Sequence, residues 1–431
     1  MDPKALIRSI LVTLLTWEAR LVLRHHAPKI IAITGSVGKT TTKDAVYAAL
    51  APHLSVAASK KSFNSDIGVP LAILQLDNPW SNPFAWIRTL AQGLLRLREP
   101  YPAWLVLEVG ADRPGDIRRI ARWLLPDYVV YTGVPKTPAH VEYFTSAHAV
   151  FHEKRSLIEY LRPGGKVFVY ADDPRAQELK QSFRASFVSY GFSDDADFRA
   201  SHDEIELADR TPTGLRFRVE REGLSVPVAI QGSLGRPRIL AALAAVAVAH
   251  ELGIDAVSAS SALAAWEQTP GRMRLIDGFG GSTIIDDTYN SSPVAALAAL
   301  DTLGSIKNRG RKIALLGDML ELGRESAEAH RTVGERAGKI ATLLATCGVR
   351  ARAIAEAAID AGLSADKVRQ YDQGEVPRAA AEIKRELKKG DIVLVKGSQG
   401  VRMEFAVKEL MAHPEEAAHL LVRQDEEWGR R

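Results

Sequence analysis

Short apolar runs alternate with helix-forming stretches from residue 29 onward. The runs rich in β-branched residues predict strands, and they read "KIIAIT", "LSVAAS", "AWLVLEVG", "DYVVYTGV" and "GKVFVYADD". Alternation of this kind is typical of a parallel sheet covered by helices. The first half of the chain is therefore predicted to form an α/β domain.

The pattern changes twice further along the chain. Polar, alternating stretches between about 198 and 230 predict antiparallel hairpins added to the sheet, followed by Ala-rich helices near 238–252 and 255–266. After "EQTPGRMR" a second α/β series begins, with predicted strands "STIIDDTY", "KIALLGD", "TLLATCG" and "DIVLVKGS" and helices at 325–341 and 375–388. We therefore expect an N-terminal helix over 1–28, a central domain over 29–268 and a C-terminal domain over 269–431.

Residues 1–28 are apolar enough to suggest a signal or an anchor. Arg8, Glu18 and Arg20 interrupt them, so no run approaches the roughly 20 apolar residues of a membrane span, and no small-residue cleavage site follows. The positions near helical spacing are Leu6, Ile7, Ile10, Leu14, Trp17 and Leu21. This spacing predicts an amphipathic helix that packs on its own domain, with peripheral contact to a membrane or a partner protein as the alternative.

Composition narrows the class of protein. The chain has 431 residues, of which 46% are hydrophobic and 25% charged, as in a globular protein of two or three domains. A net charge of +4 gives no reason to expect nucleic-acid binding. The single cysteine, Cys347, excludes an internal disulfide, is compatible with a cytosolic protein and lies in "LLATCGV", where a buried strand thiol is expected.

The stretch "ITGSVGKTTTKDAV", residues 33–46, predicts a strand, a glycine turn and a helix. Gly35 and Gly38 permit close backbone approach, and the start of the helix directs N–H groups toward an anion. Lys39 supplies a cation for phosphates, and Thr40 supplies a hydroxyl for Mg²⁺. The full Walker spacing would need glycine where Ile33 stands, so an ordinary glycine turn with a solvated lysine is the alternative.

Further polar residues follow the predicted strands of the first half. Glu108 ends "AWLVLE", and His140 comes after the next strand, so both are expected at the carboxyl edge of the sheet with Thr40. Together they predict a Mg²⁺ site. His148 and His152 are spaced i, i+4 as in a metal pair, but without a third ligand nearby the favoured interpretation is a pair of helix-face histidines.

The second half repeats this arrangement at its own strand ends. The residues concerned are Arg272, Asp286, Asp287, Tyr289, Asn290, Lys396, Ser398 and Arg402. Two α/β domains with facing carboxyl edges would enclose a cleft in which one holds a nucleotide and the other brings a second substrate. Such a layout predicts a transferase or a ligase.

The combined motifs resemble those of the Mur ligases. They are "ITGSVGKTTTKD", "SFNSDIGVPLAIL", "EVGADRPGDI", "HVEYF", "YADD", "GRMR", "IDDTYNSSPVAALAAL", "ALLGDMLELG" and "LVKGSQGVRME". The resemblance covers residues 29 to about 412 and looks greatest to the branch that joins D-alanyl-D-alanine to a muramoyl tripeptide. It implies a central P-loop-type ATPase domain with a parallel sheet, a Rossmann-like C-terminal α/β domain, and ATP- and Mg²⁺-dependent amide formation through an acyl phosphate. The resemblance also implies a cytoplasmic enzyme of peptidoglycan synthesis. Its substrates would be a muramoyl-peptide acceptor and a D-alanyl-D-alanine-like amine.

The resemblance also implies residue roles. Phosphates would be held by Thr34, Gly35, Ser36, Gly38, Lys39, Thr40 and Thr41. Mg²⁺ would be served by Thr40, Glu108, His140 and a carbamylated Lys154. Arg272 would reach the γ-phosphate, Asp287 the ribose, and Tyr289 and Asn290 the base or its surroundings. The acceptor would meet Asn64 and Ser65, and the incoming amine would meet Lys396, Ser398 and Arg402.

Three features depart from the family pattern. The family usually has an N-terminal domain that holds the UDP group, and about 28 residues precede the ATP domain here. The asparagines that the family usually has before "ALAA" in the central domain are replaced here by residues around Pro237, Arg238 and Ala241. The glutamate that the family often has two residues after the modified lysine is replaced by Ser156. A lipid-linked or non-wall acceptor, or a nucleotide-binding scaffold without catalysis, are the alternatives. A scaffold would have no use for an arginine that reaches across two domains.

Overall fold

The computed structural model describes residues 3–59, 62–80, 82–135, 141–144, 146–425 and 428. Two β-sheets flanked by helices make up the chain. The first is built from β1 (Lys29–Thr34), β2 (Val56–Ala58), β3 (Trp104–Glu108), β4 (Tyr128–Tyr131), β5 (Lys166–Tyr170), β6 (Ser186–Gly191), β7 (Phe198–Ala208), β8 (Thr211–Arg221) and β9 (Leu224–Gln231). The second is built from β10 (Arg274–Gly278), β11 (Ser282–Asp287), β12 (Lys312–Gly317), β13 (Leu343–Cys347), β14 (Val368–Tyr371) and β15 (Ile392–Lys396).

The first sheet has the order β2-β3-β1-β4-β5-β6-β7-β8-β9. Its strands pair in parallel as far as β7, and β7, β8 and β9 then form the predicted antiparallel hairpins. Because β1 lies between β3 and β4, with Ile33 opposite Glu108 and Thr34 opposite Tyr131, the carboxyl ends of these three strands meet at one edge. The candidate site lies at this edge.

The second sheet has the order β10-β11-β15-β12-β13-β14. Its pairs are parallel except for the antiparallel hairpin of β10 and β11. The predicted α/β fold class, with a large parallel sheet followed by a second α/β sheet, is confirmed. The buried thiol predicted for Cys347 is found on β13.

The helices cover both faces of the sheets. They are α1 (Pro3–His26), α2 (Lys39–Leu50), α3 (Gly68–Leu74), α4 (Pro83–Leu95), α5 (Asp116–Leu124), α6 (Ala147–Arg155), α7 (Ala176–Ser182), α8 (Arg236–Glu251), α9 (Ala256–Ala264), α10 (Pro293–Ser305), α11 (Ser326–Ile340), α12 (Arg352–Asp360), α13 (Val376–Lys384), α14 (Glu404–Leu410) and α15 (Ala417–Leu420). The Ala-rich α8 is buried along nearly its whole length and packs on α2. Its small side chains allow the close approach that positions α2 and the loop 35–38 before it, the predicted phosphate loop.

The N-terminal segment forms the predicted helix, but a different face from the predicted one is buried. Leu15, Ala19 and Val22 pack into the core beside α3 and α4. The predicted apolar line is largely exposed, with Ile7 59% and Trp17 53% accessible. Because α1 is apolar on more than one side, its periodicity did not determine which side docks. Within the described residues, no helix has the length and apolarity needed to cross a bilayer.

Candidate active site

The phosphate loop joins β1 to α2 at the carboxyl edge of the first sheet. Gly38 stands at the N-cap of α2 with φ 84° and no side-chain cap, so the first N–H groups of the helix face the open edge. Thr132, just after β4, donates to the carbonyl oxygen of Val37 over 2.7 Å, and the Ser36 N–H donates to Gly133 over 2.9 Å. The loop is thus held in the shape of an anion cradle, with Thr34 buried beneath it and Thr41 buried in the first helical turn.

A cluster of oxygen atoms lies at the start of α2. The Thr40 hydroxyl donates to Glu108 Oε2 over 2.8 Å, and the Ser62 hydroxyl lies 2.8 Å from the Thr40 hydroxyl. Asn64 Nδ2 donates to Glu108 Oε1 over 2.8 Å. Carboxylate and hydroxyl oxygens at this position suit a hard cation such as Mg²⁺. Sequence reasoning gave no role to Ser62, although it is the first residue of the "SFNSDIGVPLAIL" motif.

Asn64 and Ser65 were assigned to the acceptor by resemblance. The backbone of Asn64 accepts from the Gly110 N–H over 2.8 Å, and its side chain holds Glu108, so it lies at the cation end of the site. The Ser65 hydroxyl accepts from the N–H of Gly68, the first residue of α3, over 3.2 Å. The assignment of both residues to the acceptor stays a prediction.

Two lysines lie close to this cluster. Lys154, on α6, is buried, and burial together with the nearby Lys39 cation lowers its pKa to about 7. Burial also lowers the pKa of Lys39, with the Glu108 carboxylate acting in the opposite direction. The Glu153 carboxylate accepts from the N–H groups of Gly115 and Ile117, both over 2.7 Å, and so fastens α6 to the start of α5. Ser156, at the departure from the family pattern, donates to the Glu153 carbonyl over 2.6 Å.

Arg272 reaches the first domain from the segment before β10. Its Nη2 donates to the Thr40 hydroxyl over 3.3 Å, and its guanidinium lies 4.0 Å from the ring centroid of Tyr289. In the described part of the chain, Arg272 Nε has no hydrogen-bond partner. The segment is fixed by Asp286, whose buried carboxylate accepts from the Gly271 N–H over 2.9 Å. Burial raises the pKa of Asp286 to about 6.

The other predicted residues of the C-terminal domain form two groups. Lys396 is buried, with its Nζ 2.6 Å from Asp287 Oδ2 and donating to the Asn290 carbonyl over 2.8 Å. Ser398 accepts from the Leu320 N–H over 2.8 Å. Arg402 lies apart from these, since its Nε is bound at 2.6 Å to the buried carboxylate of Glu404. The structure thus brings Asp287, Asn290 and Lys396 together at the mouth between the domains.

A cavity of about 550 Å³ adjoins the phosphate loop. Its walls include Gly38, Tyr170, Phe192, Pro237 and Leu240. A smaller space of about 70 Å³ beside it is lined by residues of both domains, including Arg238, Arg272 and Asp287. The larger cavity is mostly apolar, and its size suits a nucleoside.

The positions where the family has asparagines lie between these spaces. Arg238 is fully buried, donates to the Arg272 carbonyl over 2.5 Å and lies 5.0 Å from the Trp266 ring. Burial, with a contribution from the Arg272 cation, lowers its pKa to about 9. Arg238 therefore supports Arg272 through its backbone. His140, predicted as a cation ligand, lies outside the described residues.

These features define a class of protein: an α/β nucleotide-dependent enzyme in which an arginine from a second domain reaches the phosphate loop of the first. Comparisons with family models agree with this description. The Mur ligase middle domain matches residues 33–86 and 87–249, and the Mur ligase glutamate ligase domain matches residues 271–399. The chain belongs to the Mur ligase family.

Several curated relatives share one name. The UDP-N-acetylmuramoyl-tripeptide–D-alanyl-D-alanine ligase of Bacillus subtilis is 29% identical over 409 residues, covering 94% of this chain and 80% of the relative. The Mycobacterium leprae ligase of the same name is 30% identical over 399 residues, covering 86% and 71%. The Escherichia coli ligase of that name is 28% identical over 394 residues, covering 90% and 78%.

Solved structures share the fold. MurF from Acinetobacter baumannii has a TM-score of 0.75 at 23% identity, covering 94% of this chain and 80% of its own. MurF ligase from Thermotoga maritima in complex with ADP has a TM-score of 0.75 at 24% identity, covering 95% and 85%. Folylpolyglutamate synthase from Mycobacterium tuberculosis, with a TM-score of 0.65 at 17% identity, covers 94% and 97%. At these identities the likeness concerns the fold alone.

Proposed function

We propose that this protein is an ATP- and Mg²⁺-dependent amide ligase of peptidoglycan precursor synthesis that joins D-alanyl-D-alanine, or a similar amine, to a muramoyl peptide. The observation that carries the proposal is the convergence of two domains on one hydroxyl. Thr40 Oγ1 lies 2.8 Å from Glu108 Oε2 and 3.3 Å from Arg272 Nη2. The name of the curated relatives supplies the substrates. The meeting of two domains at Thr40 also supports the predicted domain bounds. These are a helix over 1–28, an ATP-binding domain over 29–268 and a C-terminal domain over 269–431.

The residues fit a nucleotide phosphate and a cation. The uncapped start of α2 offers N–H donors, Lys39 offers a positive charge, and Glu108 with Thr40 offers oxygen ligands. Bound Mg²⁺ would neutralise charge on the phosphates. Gly35, Ser36, Gly38, Lys39, Thr40 and Thr41 would hold the phosphates in line with the acceptor, and Asp287, Tyr289 and Asn290 would meet the ribose and the base.

In the proposed reaction an acceptor carboxylate oxygen attacks the γ-phosphorus, the bond to the β–γ bridging oxygen breaks, and ADP leaves. The acyl phosphate formed is attacked by the amine nitrogen, which loses a proton as inorganic phosphate leaves. Arg272 and Lys39 would stabilise negative charge on the moving phosphoryl group, which is where most catalysis of this kind arises. Lys396 and Ser398 would position the incoming amine substrate, together with Arg402.

The test is phosphate release by the purified chain. The panel comprises UDP-muramoyl peptides, lipid-linked precursors and free peptides, each with and without D-alanyl-D-alanine. Turnover is expected only when ATP, a muramoyl peptide and the amine are all present. Lys39→Ala should abolish release, and Lys408→Ala, at an exposed lysine of α14, should retain it. Absence of turnover across the whole panel would favour a nucleotide-binding scaffold without catalysis. Turnover only with lipid-linked or free peptides would mean that the acceptor belongs to that class of compound.

Lys154 is further proposed to act as a carbamate. A buried lysine whose pKa is lowered to about 7 is substantially uncharged near neutral pH, and the neutral amine is the form that adds to CO₂ with loss of a proton. The anionic product would face Lys39 and supply another oxygen ligand for Mg²⁺. With ¹³C-labelled bicarbonate, a carbamate resonance is expected in the native chain and not in Lys154→Ala. Short carboxylates should partly restore activity to that variant, and an unlabelled native chain would refute the carbamate.

The helices α1 and α4 support a further proposal on location, at the inner face of the membrane. Both expose large apolar side chains, which are Leu6, Ile7, Ile10, Leu14 and Trp17 on α1 and Phe84, Ile87, Leu94 and Leu95 on α4. We call these residues the α1/α4 surface. Exposed arginines flank it, among them Arg20, Arg24 and Arg88. An apolar face bordered by cations suits an anionic lipid surface.

Vesicle cosedimentation tests this location. The full chain is expected to sediment with anionic vesicles and less with neutral ones. Ile7→Glu and Phe84→Glu should each reduce sedimentation, whereas Val257→Glu, at a position as exposed as Ile7 on α9, should not. A chain that stays in the supernatant with both kinds of vesicle would refute membrane binding and leave a partner protein as the occupant.

A further inference from the structure

A cluster of metal-binding side chains lies on the outer side of α6, apart from the phosphate loop. His148 and His152 are one turn apart on this helix, with ring centroids 4.3 Å apart. The spacing alone carries little weight without a third ligand. The structure supplies one, because α7 places Glu178 beside both rings.

The three side chains offer ligand atoms of the right kind at nearly the right spacing. One atom from each lies within 4.8 Å of the others. Zinc binds imidazole nitrogen and carboxylate oxygen at about 2.0–2.2 Å in a tetrahedron, which separates ligand atoms by roughly 3.4 Å. His148 is exposed, and His152 and Glu178 are half-buried. Small side-chain rotations near the surface therefore suffice to close the set around an ion.

The competing contacts of the cluster are weak. Arg155 Nη1 lies 3.8 Å from Glu178 Oε1, and the guanidinium of Arg155 also lies over the Phe183 ring at 5.8 Å. A pair this long and partly exposed contributes little to stability and is readily displaced. Among the described residues, no hydrogen bond to either imidazole is seen. The ring nitrogens are therefore available to a cation.

We propose that His148, His152 and Glu178 form a site for Zn²⁺ or a similar divalent transition metal. Two imidazoles and one carboxylate leave the fourth tetrahedral position to water or to another ligand. The site is separate from the oxygen cluster of Thr40 and Glu108. Because α6 also carries Lys154, an ion shared between α6 and α7 would fasten the helix that positions this lysine. The inference does not depend on the proposed ligase activity.

Competition for Zn²⁺ with a chromophoric chelator, on the full chain without nucleotide, tests the site. One Zn²⁺ per chain is expected at this site. His148→Ala and His152→Ala should each weaken binding at least tenfold, as should Glu178→Gln. The matched control is His419→Ala, which removes an exposed histidine of α15 and should bind as the native chain does.

Two further measurements distinguish this site from Zn²⁺ binding at the phosphate loop. Binding should survive Glu108→Gln, which removes the carboxylate of the phosphate-loop cluster. Co²⁺ should give the visible absorption of tetrahedral coordination in the native chain and not in His152→Ala, with unchanged far-UV circular dichroism. The proposal is overturned if the native chain binds no Zn²⁺, if the His148 and His152 variants bind it equally well, or if binding is lost with Glu108→Gln.

Discussion

Glu18 is a buried acid that ties the docking of α1 to pH. Glu18 belongs to α1, and its side chain is buried against α4, only 4% exposed. Its Oε2 has no hydrogen-bond partner in the described residues. The carboxyl group packs against Gly93, where no side chain could be accommodated. Burial raises its pKa from 4.5 to about 7. Near neutral pH the folded chain thus carries a carboxyl group that resists ionisation.

The sign and size of the effect follow from these two pKa values. Between them the folded chain binds more protons than the unfolded chain, so the free energy of unfolding falls as pH rises through this window. Below the window the penalty is absent, and above it the penalty is complete. From about pH 5 to about pH 8 the expected loss is roughly 2.5 kcal/mol, as an upper limit because water near the two surface helices screens the charge.

Urea unfolding followed by tryptophan fluorescence measures this loss, since Trp17 and Trp86 lie on the two helices. In Glu18→Gln the fall between the two pH values should shrink by most of that amount, because an amide has no proton to lose. Glu356→Gln, at an exposed glutamate of α12, should follow the native chain. An equal fall in Glu18→Gln and the native chain would refute the reasoning.

Three other predictions concern single side chains. Arg272→Lys should lower kcat for phosphate release about 100-fold with little change in KM for ATP, because lysine lacks the planar fork of donors; an unchanged kcat would place Arg272 away from the moving phosphoryl group. Lys396→Met should cost about 3 to 5 kcal/mol in urea unfolding, since it leaves the Asp287 carboxylate without its cation; a loss below about 1 kcal/mol would mean that water replaces the pair. Burial raises the pKa of Cys347 to about 12, so its alkylation by iodoacetamide should be slow in the folded chain and fast in urea. Fast labelling of the folded chain would contradict this burial.

The sequence was sufficient for the features that depend on local pattern. β-Branched runs marked the central strands, and the glycines with Lys39 marked the turn between β1 and α2, because a strand, a turn and a helix start each leave a short-range signal. β6, β10 and β14 were missed, and each is short or partly exposed and lacks a clear apolar run.

Contacts between distant segments could not be predicted in this way. The loop of Asn64 folds against Gly110 and brings its amide to Glu108, a contact that the motif does not reveal; its assignment to the acceptor stays a prediction. Glu178 is likewise far along the chain from His152, so the sequence offered no reason to group them. In both cases the contact depends on how two loops or helices pack, which neither periodicity nor spacing predicts.

The two sides of the candidate site differ in how firmly they are held. On the first domain, Glu108 is fixed by hydrogen bonds from Thr40 and Asn64, so the candidate cation ligands are ordered without a bound nucleotide. On the second, the guanidinium of Arg272 makes a long hydrogen bond to Thr40 and stacks on the Tyr289 ring, and within the described residues its Nε has no partner. A buried donor without a partner is costly, and a phosphate oxygen between the domains would satisfy it. We therefore expect a bound nucleotide phosphate to complete the contact between the domains.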